Sequence, residues 1–106
     1  MIKFNFEIGC KYNYDLFVTV KGKPNPDTGF IINLKELSLL IRNEICLQLD
    51  HKNLNVEVPE FEDLNPTAEN IAVVIYNKVK AKLDAKFHLE ITLYETPRNF
   101  VTYSGE

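Results

Sequence analysis

Chemistry has few places to sit in this chain. It contains two histidines, His51 and His88, two cysteines, Cys10 and Cys46, and no phosphate loop, nucleophile elbow or dinucleotide-binding fingerprint. One carboxylate stands out by its position. Phe87, Leu89, Ile91 and Leu93 alternate with His88, Glu90, Thr92 and Tyr94, which is the period of a strand with one buried face. Glu95 continues the apolar row, so parity sets a carboxylate at the end of the face that packs inward. Either the strand has already run into solvent there, or the carboxylate accepts two parallel N–H bonds from a planar fork. Arg supplies such a fork, and so does the aminopyrimidinone edge of a pterin or guanine. Asp50 and His51 form an adjacent pair where a helical stretch ends. A histidine there is a favourable cap, but an aspartate opposes the helix dipole. A carboxylate beside an imidazole also suits general acid or base work. Cys46 falls mid-helix as a small apolar residue, Cys10 falls in a turn as an exposed thiol, and His88 falls on the outward strand face. Their spacings match no zinc motif.

The elements that must carry these residues follow from hydrophobic period. Ile2, Phe4, Phe6 and Ile8 alternate, as do Tyr14, Leu16, Val18 and Val20, predicting two strands that pair as a hairpin. Gly22, Pro24, Pro26 and Gly29 end the second strand in turns. Leu34, Leu37, Ile41, Ile45 and Leu49 then share a helical face, with Asn33 as the cap and Glu36 reaching back to it in a capping box. Residues 51–66 have no period and concentrate charge at Glu57, Glu60, Glu62 and Asp63, which reads as a functional loop. Thr67 caps a second helix whose stripe is Ala68, Ile71, Ala72, Ile75, Val79 and Leu83, with Glu69 in the dipole-favoured first turn. After Glu95, Thr96-Pro97-Arg98-Asn99 reads as a turn and Phe100 to Tyr103 as a short last strand. The order ββααββ predicts an α+β fold, a single domain over 1–106 with two helices on one face of an antiparallel sheet. Four strands cannot close a barrel, so the open edges predict an oligomer.

Composition narrows the function classes. At 106 residues the chain supports one core, and 45% apolar with 25% charged residues fits a globular fold rather than a disordered one. Twelve basic against fifteen acidic residues leave a net charge of −3 with no basic run, which argues against nucleic acid as a partner. Apolar runs of only a few residues predict no membrane span. The alternating start, MIKFNFEI, predicts an uncleaved N-terminus, and two cysteines without a disulfide framework suit a reducing cytoplasm.

Five ordered stretches carry a family resemblance: Asn13-Tyr14 leading into LFVTVKG, PDTGFIINLKEL at 26–37, LDHKNLN at 49–55, PTAENIA at 66–72 and YET at 94–96. Together they resemble the 6-pyruvoyl tetrahydropterin synthase family, which includes the carboxytetrahydropterin synthases of the queuosine pathway. The resemblance runs from about Asn13 to Glu106. It implies the tunnelling fold, or T-fold, whose ββααββ order is the one derived above. It also implies trimers whose sheets join into a barrel, often paired as hexamers, with active sites between subunits. The implied substrate is a pterin such as dihydroneopterin triphosphate, and the implied activity is a lyase reaction that eliminates phosphate or rearranges the side chain. Carried over by position, Glu95 matches the pterin-anchoring glutamate, and Thr67 and Glu69 match a Thr-x-Glu-Asn segment at the pterin pocket. Asp50 and His51 match an Asp-His pair that joins a cysteine in proton transfer. The N-terminal part departs from the pattern. Family members bind zinc with one histidine on the first strand and two in a His-Gly-His-Asn-Tyr segment, whereas Cys10, Lys11 and Tyr12 precede Asn13-Tyr14 here. Cys10 falls near the remaining zinc histidine if the long loop between the first two strands is deleted, or else stands for the catalytic cysteine. Neither alignment restores the three histidines, so no zinc or other cofactor is expected. Three readings remain open: a pterin lyase of the family type, a zinc-free oligomer that binds a pterin or a purine, and, ranked last because the retained motifs are pocket residues as well as core positions, an α+β oligomer with no ligand.

Overall fold

The alternation along the chain becomes a four-stranded antiparallel sheet in the computed structural model, which describes residues 2–8, 12–49, 59–63 and 67–105. Strands β1 (Ile2–Ile8), β2 (Tyr12–Lys21), β3 (His88–Thr96) and β4 (Asn99–Tyr103) lie in that order across the sheet. The β1–β2 register runs from Ile2 opposite Val18 to Ile8 opposite Tyr12, leaving a connection of residues 9–11. Strand β2 pairs with β3 from Asp15 opposite Tyr94 to Lys21 opposite His88. The apolar rows thereby fall on a common face, as parity requires. Tyr14, Leu16 and Val18 of β2 and Leu89, Ile91 and Leu93 of β3 are buried in one core with residues of both helices.

Between β2 and β3 the chain forms a turn and two helices. In the turn, the Asn25 side chain accepts from the backbone N–H groups of Asp27 and Thr28, and Gly29, at φ 78°, closes it with a conformation that side-chain-bearing residues avoid. Helix α1 covers 34–49: an α-helical stretch Leu34–Ile41, a π-helical turn Arg42–Cys46 and a last stretch Leu47–Leu49. Asn33 caps it by accepting from the N–H groups of Lys35 and Glu36 at 2.9 and 3.3 Å. The reciprocal bond from Asn33 N–H to the Glu36 carboxylate is not made, so only the forward half of the expected capping box exists. The π turn answers a problem of period. Leu37, Ile41, Ile45 and Leu49 recur every four residues, and in a regular α-helix each such step drifts by about 40° around the axis. Winding more residues into one turn cancels part of that drift and keeps all four buried. Leu34, expected in the same stripe, is 60% exposed at the first residue of the helix. Cys46, in the π turn, is half-buried and packs against the core.

Helix α2 (Ala68–Lys82) starts at Thr67, whose hydroxyl accepts from Asn70 N–H at 3.2 Å and whose carbonyl accepts from Ile71 N–H at 2.9 Å. Ile71, Ala72, Ile75 and Val79 of the predicted stripe are buried, Ala68 and Leu83 are half-buried against the core, and Val74, which the stripe omitted, is buried beside them. Near its far end Lys80 Nζ donates to the Phe87 carbonyl at 2.6 Å, while Ala68 and Glu69 lie beside Glu95. The helix therefore runs along β3 in the opposite sense, its first turn at the strand's last residues. The aperiodic segment after α1 contains a short 3₁₀ turn, Pro59–Phe61, and Phe61 is fully buried in the core. No helix among the described residues is long and apolar enough to cross a membrane.

Candidate functional site

The end of β3 is where the sheet departs from regular pairing. Leu93 pairs with Val101 and Tyr94 with Phe100, but the next pair is Thr96 with Asn99, so Glu95 is passed over as the extra residue of a bulge. The sequence supplies a reason in Pro97. Its ring holds φ near −65° and so denies it the positive φ of the mirror-image turns that match strand twist in a two-residue hairpin. A bulge on the flanking strand takes up the mismatch by adding local twist. Thr96 secures the turn, its hydroxyl accepting from the backbone N–H groups of Arg98 and Asn99 at 3.3 and 3.1 Å. Glu95 lies on the apolar row of β3, yet it is exposed. The strand has run clear of its cover at this residue.

The exposed carboxylate is not on open surface. A cleft of about 380 Å³ lies between the first turn of α2, at Ala68 and Glu69, and the bulged hairpin, at Glu95, Arg98, Asn99 and Phe100. A second hollow, of about 320 Å³, is formed by Asp15, Tyr94, Thr96 and Pro97, and Glu95 borders both. On the sheet face away from the core, the Tyr94 ring stacks on Phe100 at 4.9 Å and meets Phe17 edge-on at 5.5 Å. These contacts stiffen β2, β3 and β4 at the end that carries Glu95. Glu69 reaches the cleft because the Thr67 cap fixes where α2 begins and the buried Ile71, Ala72 and Ile75 hold that start against the sheet.

Two carboxylates and one guanidinium thus share a cleft. No ion pair joins Glu69, Glu95 and Arg98 to one another, which leaves their charges available to a ligand. The first N–H groups of an α-helix have no intrahelical partner, so the α2 start adds donors beside these acceptors. Small-molecule sites commonly occupy about 300–1,000 Å³, and this cleft falls in that range, with a lining more polar than most such sites have.

The structure therefore brings together Glu95 and Glu69. Thr67, half-buried, stands one residue before the cleft wall; its oxygen caps α2 while its hydroxyl proton is free to donate. Cys10, Asp50 and His51 lie outside the described residues. Arg98 and Asn99, which the sequence shows only as turn residues, prove to line the cleft. Their place in the turn that follows Glu95 was the one available signal.

Zinc ligation can be judged on donor chemistry. A three-histidine site cannot be assembled from a chain that has two, and His88 opens β3 on an exposed position, seven residues or about 23 Å of strand from Glu95. Among the described residues no three His, Cys, Asp or Glu side chains are grouped to hold a metal ion. Against the three-histidine pattern, the sequence supplies one histidine too few.

Comparison with known proteins covers nearly the whole chain. The family model described as 6-pyruvoyl tetrahydropterin synthase matches residues 11–106. A 6-pyruvoyl tetrahydrobiopterin synthase of Poecilia reticulata is 43% identical over 104 residues, covering 98% of this chain and 71% of the fish protein. That of Pongo abelii is 41% identical over 98 residues, covering 92% and 68%. The solved structure of Caenorhabditis elegans 6-pyruvoyl tetrahydropterin synthase superposes with a TM-score of 0.81 at 29% identity, covering 90% of this chain and 68% of that one.

Proposed function

Because the chain belongs to the 6-pyruvoyl tetrahydropterin synthase family, we propose that it binds a pterin in the cleft between α2 and the β3–β4 hairpin, with Glu95 as the anchor. The meeting of Glu69 and Glu95 in that cleft carries this reading. A pterin presents a ring N–H and an exocyclic NH2 side by side, and an ionised carboxylate accepts both in parallel. The carbonyl on the same edge of the ring needs a donor, which Thr67 and the α2 N-terminus supply. Glu69 provides a second acceptor at the pocket wall. The family's T-fold places such pockets at subunit boundaries, and here the cleft reaches edge strand β4, where Phe100 is 56% exposed. We therefore assign the protein to a homo-oligomer, a trimer or a pair of trimers, in which the neighbouring copy covers that edge.

Catalysis is a separate matter from recognition. The family reaction, phosphate elimination or side-chain rearrangement on dihydroneopterin triphosphate, relies on zinc to acidify side-chain protons, and the two histidines of this sequence fall short of the family's three. Asp50, His51 and Cys10 remain the proton-transfer candidates by their match to the family pattern. The second reading, a zinc-free oligomer that binds a pterin or purine, is favoured by the histidine count.

A thermal-shift screen with neopterin, dihydroneopterin triphosphate and guanine, run beside metal analysis of the purified protein, tests both. A ligand of the native state must raise the melting temperature by mass action. If none of the three does so, pterin and purine binding are both wrong. Bound metal with turnover of dihydroneopterin triphosphate selects the lyase; binding without metal or turnover selects the zinc-free protein. Light scattering that finds a monomer at micromolar concentration removes the oligomer.

A further inference from the structure

We propose that Thr96 is a positioning residue for Glu95: its hydroxyl holds the hairpin register that leaves Glu95 unpaired at the cleft. This rests on the pterin reading of the site and adds a residue to it. Extending the Leu93–Val101 and Tyr94–Phe100 ladder by one step would set Glu95 opposite Asn99 and leave a three-residue loop. The observed register instead pairs Thr96 with Asn99 and closes on Pro97 and Arg98. Pro97 has no N–H, so Arg98 and Asn99 carry the first two donors of the returning chain, and Thr96 Oγ1 accepts from both, at 3.3 and 3.1 Å. These bonds compensate for the ladder partner that Glu95 lacks. Nothing else among the described residues holds the carboxylate, since Glu95 is exposed and makes no hydrogen bond or ion pair with them. Backbone register alone locates it, and Thr96 secures that register.

The test is neopterin affinity across wild type, T96S, T96V, E95Q and the E95Q/T96V double variant, each checked for folding by its melting curve. T96S keeps the acceptor and binds within about twofold of wild type, whereas T96V loses it and binds about tenfold more weakly, the scale of a lost hydrogen bond. Because Thr96 acts through Glu95, the double variant binds no more weakly than E95Q alone. Wild-type affinity in T96V, or a T96V loss that adds in full to that of E95Q, overturns the proposal. If T96V does not fold, T96N and T96A decide it: Asn accepts the same donors and keeps affinity, Ala cannot and loses it, and equal affinities overturn the assignment. A wild type that binds no neopterin overturns the pterin reading and this inference with it, and is recognised because E95Q then changes nothing.

Discussion

Leu89, Ile91 and Leu93 are sealed beneath the helices, whereas Glu95, next in the same row of β3, is exposed beside the first turn of α2. Both ends of the row obey one backbone alternation. They differ in cover. Helix α2 passes along β3 from the Glu95 end toward Phe87, so the middle of the strand lies under its apolar stripe while the last residues meet only its start. The covered part stabilises the fold, and the uncovered part, bordered by Glu69 and Arg98, is the part we propose as the binding site. A bulge divides them, and it releases Glu95 from the ladder at the point where cover ends.

That contrast can be broken at either end. Ile91→Ala, in the covered part, should lower stability by about 2–5 kcal/mol, the cost of a cavity under tight packing. Urea denaturation measures it, and the fraction that stays folded should bind neopterin as wild type does. A small loss would mean that the helices do not seal the row. Glu95→Gln inverts the pattern. Affinity for neopterin should fall by about 1.5–3 kcal/mol, because an amide offers a donor where an acceptor is needed. Stability should stay within about 0.5 kcal/mol, as for an ordinary exposed position. Unchanged affinity together with a large fall in melting temperature would make Glu95 a structural partner and move the pocket elsewhere.

Smaller changes sharpen the boundary. Thr67→Ala removes the α2 cap and should cost about 1 kcal/mol of stability by denaturant titration. Its affinity should fall as well, since Glu69 and the helix donors then lose their fixed start, and a pure stability effect would confine Thr67 to capping. Glu69→Gln should cost about 0.3–1 kcal/mol of stability from the helix dipole. That loss should shrink in high salt, as exposed electrostatics do, and a salt-independent loss would point to a contact other than the dipole.

Much of the scaffold was legible because its signals are local. The rows of β2 and β3, the caps at Asn33 and Thr67 and the α2 stripe need only the chain's own periodicity and the hydrogen-bonding reach of a side chain two or three residues away. Leu34 was misplaced for the complementary reason. Helical period assigns it to the buried stripe, but burial needs a partner, and the described residues do not cover the helix at its first residue. Phe61 shows the same limit from the other side, a lone aromatic in an aperiodic stretch that becomes core because the fold closes over it. The π turn in α1 was hidden in plain view, since the four-residue spacing that demands it also reads as an ordinary helical stripe.

The site divides in the same way. By itself the sequence determined that Glu95 belongs to the apolar row, that Glu69 falls in the first turn of a capped helix, and that two histidines cannot make a three-histidine metal site, because each depends only on parity, capping or counting. Only the tertiary structure decided that Glu95 lies beyond the reach of cover, that Glu69 arrives beside it, and that Arg98 and Asn99 complete the wall. Those outcomes depend on where α2 crosses β3 and how the hairpin closes. Packing between elements distant in sequence sets the first, and a proline-driven register step sets the second, and neither leaves a mark in the period of either segment.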